Sequence, residues 1–306
     1  MKRIYSILIS FFLFQFLNAQ YEGYSEDSWN DQLKIEESFF KNIDKTSFKK
    51  HLKKLTERPH VVGSEGNQEV IRYIGEVMQL AGMKVTNYPY DVYLPKNPGT
   101  SLIEIVTPNR DVLNQKEDII ENDPYTKDPE LWKGWNAFSG SGDVTAEVVY
   151  ANYGRKEDFE TLKSLGIDVS GKIVIARYGG NFRGYKAKFA EANGASGLII
   201  YTDPQDSGFT KGLVYPNGPY YNSSTIQRGS LLTTDFTGDP LTPFEPALPL
   251  DGKEKIERID PKNAQLHSIP VSPIGYGEAE KILSQMNGDP VPQSWQGGLP
   301  FTYRLQ

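Results

Sequence analysis

Residues 171–204 read GKIVIARYGGNFRGYKAKFAEANGASGLIIYTDP, and this stretch constrains the fold more than any other. An apolar strand at 172–177 runs into Gly179-Gly180. A helix follows at 184–193 and a second apolar strand at 197–202. Strand, turn, helix and strand in 34 residues specify an α/β unit. Glycines between a strand and a helix also mark sites where the backbone cradles a phosphate. The run from Gly179 to Gly184 is not G-x-G-x-x-G, however, and no G-x-x-x-x-G-K-[ST] occurs in the chain. Arg183 can be a solvated residue on a tight connection. It can equally hold its guanidinium fork for a carboxylate.

The rest of the chain extends this pattern. Ser64 is placed to cap a helix in which Val70, Ile71, Ile74, Val77, Met78 and Ala81 recur at helical spacing, and Gly82 fits its C-terminal end. Shorter helices are expected around 33–40 and from 47. Strands are expected at 84–93, 101–107 and 143–154, and helices at 155–165 and 274–286. A short helix or turn is expected at 225–234. The stretch 238–249 holds too many prolines for regular structure. The character of the chain changes after Leu94, which suggests a boundary there.

Composition excludes several classes of function. The 306 residues carry a net charge of -6 and no extended basic tract, which argues against a nucleic-acid partner. There is no cysteine, so disulfides, thiolate nucleophiles and cysteine-based metal sites are ruled out. The three histidines, His51, His60 and His267, lie in no H-E-x-x-H pattern, and no G-x-S-x-G is present. The first 19 residues have a basic start (Lys2, Arg3), an apolar run from Ile4 to Leu17 and a small residue at Ala19. This reads as a cleaved export signal, giving a periplasmic or extracellular protein; an uncleaved membrane anchor is the alternative.

Seven ordered blocks carry a family likeness. They are RPHVVGSEGN (58–67), YDVYLP (90–95), VVYANYGRKEDFETL (148–162), residues 170–204, IQRGSLL (226–232), GDPLTP (238–243) and SIPVSPIGYGEAEKIL (268–283). Together they resemble the front part of the glutamate carboxypeptidase family of zinc peptidases, which also includes the catalytically inactive transferrin receptor. The likeness covers about residues 45–306. After the export signal at 1–19 and a polar, charged linker at 20–44, it implies the first segment of an aminopeptidase-type α/β domain at 45–94 and a protease-associated (apical) domain at 95–306. That apical domain is expected to mix a β-sandwich or barrel with helices.

The resemblance also implies roles. The family's FRG arginine, here Arg183, binds the C-terminal carboxylate of a peptide substrate. Glutamate-selective members place Asn directly after Q-R-G; this chain has Ser230 there, so a terminal carboxylate is implied but not a glutamate side chain. Thr242 and Glu245 match positions whose backbone carbonyls bind calcium. The ligands of two zinc ions are expected beyond Gln306, as is most of a homodimer interface. The chain alone is then expected to be inactive, a fragment of an exported carboxypeptidase or dipeptidase. The alternative is a non-catalytic binding module of the transferrin-receptor kind.

Overall fold

The computed structural model describes residues 23–306. The expected export signal at 1–19 lies outside them. The described residues divide into two compact units, the first ending at Arg58 and the second spanning Pro59–Gln306.

In the first unit, helix α1 spans Glu26–Lys41 and α2 spans Lys45–Leu55. Each starts where a side chain satisfies a free backbone N–H. Ser25 accepts from the amide of Ser28, and Asp44 from that of Thr46 at 2.9 Å. Phe39, Phe40, Phe48 and Leu52 remain exposed on these helices.

The second unit opens with α3, Glu65–Leu80. Its ends match the sequence reading: Ser64 accepts from the amide of Asn67, and Gly82 takes φ +82° past the last turn. The expected strand at 84–93 does not form. An extended chain becomes a strand only when a neighbour supplies a ladder. Here residues 90–93 make isolated bonds instead, from the Asp91 amide to the Ala247 carbonyl and from the Tyr93 amide to the Asp239 carboxylate.

The remaining strands, in chain order, are β1 (Glu104–Ile105), β2 (Asp111–Val112), β3 (Asn136–Ala137), β4 (Val148–Tyr150), β5 (Ile173–Arg177), β6 (Gly197–Tyr201), β7 (Gly229–Ser230), β8 (Gly238–Asp239), β9 (Thr242–Pro243) and β10 (Val271–Ile274). Helix α4 (Lys156–Ser164) joins β4 to β5, and α5 (Arg183–Ala192) joins β5 to β6. A single turn, α6 (Pro204–Ser207), follows β6, and α7 (Tyr276–Leu283) follows β10.

The fold is mixed α/β around a parallel sheet of order β10-β6-β5-β4. Both faces of such a sheet are covered, so its inner strands read as unbroken apolar runs rather than alternating ones. All five residues of β6 and four of the five in β5 are buried. Pro273 sits in β10, an edge strand, where its missing N–H breaks no ladder. Strand β10 absorbs the start of the helix expected at 274–286. The helix or turn expected at 225–234 is instead β7, which pairs in parallel with β3. The proline-rich stretch still yields one two-residue ladder, β8 with β9.

The chain end returns to the sheet. The Tyr150 amide donates to the Leu305 carbonyl at 3.1 Å. Asp203, fully buried, accepts from the hydroxyls of Tyr201 and Tyr303 and from the amides of Gln205 and Gly298. Four donors satisfy a carboxylate that would otherwise be costly to bury.

Candidate functional site

The turn between β5 and α5 is built around a lysine. Lys186 is fully buried, and its ammonium donates to the Tyr153 carbonyl (2.5 Å), the Gly179 carbonyl (2.7 Å) and the Asn181 side-chain oxygen (2.6 Å). Burial, the largest influence, pushes its pKa down to about 7. Against that, three acceptors call for three N–H donors, which only the ammonium form supplies. Gly179 and Gly180 take φ of +98° and +73°, a conformation that lets the turn fold back onto this lysine. The glycines therefore wrap a buried cation of the protein itself.

The same turn places Arg183 at the start of α5. Its guanidinium carbon lies 5.4 Å from the Phe182 ring centre and 5.7 Å from that of Tyr178, both within cation–π range. One terminal nitrogen reaches the Ser230 carbonyl at 3.4 Å. Its Nε is buried and has no hydrogen-bond partner, and no carboxylate among the described residues pairs with the group. The contrast with Arg228 is direct. Arg228 grips both oxygens of Glu117 and also donates to the Trp132 carbonyl at 2.7 Å. One arginine is consumed by the protein; the other keeps donors to spare.

Of the four residues singled out from sequence, the structure brings Arg183 and Ser230 together through the Ser230 backbone. The Ser230 hydroxyl accepts from the Leu232 amide. Thr242 and Glu245 form a separate hairpin. There the Glu245 amide donates to the Thr242 carbonyl, and the Thr242 hydroxyl to the Glu245 carbonyl, both at 3.1 Å. Both carbonyl oxygens face Gly238 closely: a Cβ built on that glycine would lie 2.5 and 2.8 Å from them.

Sequence reasoning passed over Tyr178 and Gly229, which lie against Arg183, Asn136, which bonds to both of them, and Lys186 inside the same turn. Lys186 carried a usable signal, three residues past Arg183 on the same helix. Asn136 carried none, because it comes from a strand 47 residues earlier that only the β3–β7 pairing brings near.

Among the described residues no three His, Asp or Glu side chains gather into a group that could hold a metal. His267 lies instead between the Glu191 carboxylate (3.1 Å) and the Leu231 carbonyl (3.1 Å). A cleft of about 800 Å³ is walled by residues 61–64 and 90–96 with Trp132, Leu241, Leu250 and Arg258, and Arg183 does not line it.

Residues 144–234, which include β4 through β7, match the PA domain family. A glutamate carboxypeptidase 2 homolog of Caenorhabditis briggsae is 34% identical over 328 aligned positions, covering 100% of this chain and 42% of that protein. Its counterpart in Caenorhabditis elegans is 36% identical, covering 86% and 35%. Aminopeptidase NAALADL1 of Rattus norvegicus is 32% identical, covering 91% and 38%. The chain thus spans about two fifths of the length of these curated relatives.

Proposed function

The chain belongs to the glutamate carboxypeptidase-like family and carries a PA domain, and from that premise we propose that it presents Arg183 to the free C-terminal carboxylate of a peptide. The observation that carries this reading is the arginine's own hydrogen bonding. Arg183 lies within cation–π range of two aromatic rings, has no acidic partner among the described residues and keeps donors unspent. A permanent planar cation with parallel N–H bonds matches a carboxylate in shape and charge.

In this reading the whole protein is an exported metallopeptidase acting on small carboxylate-ended peptides. Residues 45–94 are the first segment of its peptidase domain, and 95–306 its apical domain. The zinc that accompanies such activity is not held by the described residues, so no catalytic step is assigned to them. The carbonyls of Thr242 and Glu245 can supply two of the six to eight oxygens that calcium takes. Each already accepts one internal hydrogen bond and retains a second lone pair. A homodimer formed through other regions belongs to the same proposal.

The test compares peptides ending in a free carboxylate with their C-terminal amides. Wild-type protein is expected to prefer the carboxylate, and Arg183→Ala to lose that preference by on the order of tenfold to a hundredfold. Equal loss for both peptide forms, or no loss, would overturn the role.

A further inference from the structure

Tyr178 follows directly on β5 and is 4% exposed. Its ring lies in the main core cluster, and packing there calls for a ring and no more. The hydroxyl nevertheless has a full set of contacts. It donates to the Gln227 carbonyl at 2.8 Å and accepts from the Asn136 side-chain amide at 3.1 Å. The same Asn136 nitrogen reaches the Gly229 carbonyl at 3.2 Å. Asn136 is itself buried, and its side-chain oxygen has no partner. Two buried polar side chains, bonded to each other, thus each reach the backbone of 227–229.

That backbone is the other wall of the Arg183 site. The Ser230 carbonyl takes a hydrogen bond from Arg183, and Gly229 lies close against the guanidinium. On its outer side the loop is anchored by the Arg228–Glu117 pair. Tyr178 therefore touches both halves of the site. Its ring sits beneath the guanidinium and its hydroxyl grips the facing loop.

We propose that Tyr178, with Asn136 behind it, is a positioning residue that locks Arg183 and residues 227–230 into one preformed carboxylate-binding unit. The proposal rests on the reading of Arg183 given above. An arginine side chain has many rotamers, and holding one of them before the ligand arrives removes that ordering cost from binding. The hydroxyl does this indirectly. It fixes the loop, and the loop leaves the guanidinium one place to lie.

The experiment uses the full chain labelled with ¹⁵N, in which loss of a signal in Arg183→Lys identifies the Arg183 Nε–H resonance. Tyr178→Phe keeps the ring and removes the hydroxyl. The Arg183 signal is expected to shift and its order parameter to fall. Tyr150→Phe is the control: it removes another buried hydroxyl, bonded to the Trp295 carbonyl, and should leave the Arg183 signal in place. In parallel, Tyr178→Phe should reduce the preference for an acetylated dipeptide acid over its amide by about tenfold, with Arg183→Ala as the floor. An unchanged Arg183 signal in Tyr178→Phe overturns the proposal. Should that variant not fold, Asn136→Ser removes the second arm of the hub and decides on the same signal. If Arg183→Ala keeps the acid preference, the carboxylate reading fails, and the resonance still decides whether Tyr178 positions Arg183.

Discussion

Gly229 lies against the guanidinium of Arg183 so closely that a Cβ built on it would stand 2.6 Å from the guanidinium carbon. Gly229 also takes φ +155°, where a side chain is strained. Gly229→Ala should therefore push Arg183 away from the Tyr178 and Phe182 rings. The backbone cost is about 1–3 kcal/mol. The diagnostic result is a carboxylate preference reduced as far as in Arg183→Ala, with the domain still folded by circular dichroism. A folded variant with undiminished preference would show that Arg183 tolerates another position.

Lys186 holds three oxygens of the 153–181 region on one ammonium. Lys186→Met preserves the stem but strands those acceptors in the interior. Each buried acceptor left unmade costs about 1–3 kcal/mol. The variant should lose at least one such increment in denaturant unfolding. Lys186→Arg should not restore it, because a planar fork cannot point at three converging acceptors as an ammonium does. Wild-type stability in Lys186→Met would contradict this account of the turn.

The tyrosines around Asp203 predict the alkaline limit of the fold. Burial raises the pKa of Tyr150, Tyr201 and Tyr303 above the ordinary 10.0, and the nearby Asp203 charge adds to this. A group raised in the folded state adds stability that is complete below its unfolded pKa and is lost as pH climbs toward the folded one. Stability should thus hold up to about pH 10 and fall beyond it, by about 1.4 kcal/mol per pH unit for each proton released on unfolding. Urea midpoints at pH 8, 10 and 11 measure this. Tyr303→Phe should make the fall shallower.

Helix α3 buries only Gly66 among its 16 residues and leaves Ile71, Ile74, Met78 and Leu80 exposed. Helical stability in proteins comes mainly from packing an apolar face. Amides of 65–80 should therefore exchange with solvent orders of magnitude faster than those of β5 and β6, whose residues are almost all buried. Equal protection in both would show that this helix is stabilised some other way.

Local chemistry made much of the fold legible. Ser64 and Gly82 bracket α3 because a cap acts on backbone groups within one turn of itself. The apolar runs at 173–176 and 197–201 announce β5 and β6 because a strand covered on both faces needs no polar alternation. The segment 84–93 misled because its alternation describes a strand only when a ladder exists to join. Residues 229–230 misled in the opposite sense: two residues carry no periodicity, and β7 exists only because β3 lies beside it.

The site divides along the same line. Sequence alone determined that an arginine follows a glycine turn at the head of a helix, since each of those features is local. Tertiary structure alone decided that the turn folds around Lys186, that Glu117 neutralises Arg228 and leaves Arg183 with donors to spare, and that Tyr178 and Asn136 hold the facing loop. Those relations join residues up to 111 positions apart. Such partners meet because a parallel sheet and its crossovers bring distant strand ends together, and spacing along the chain carries no record of it.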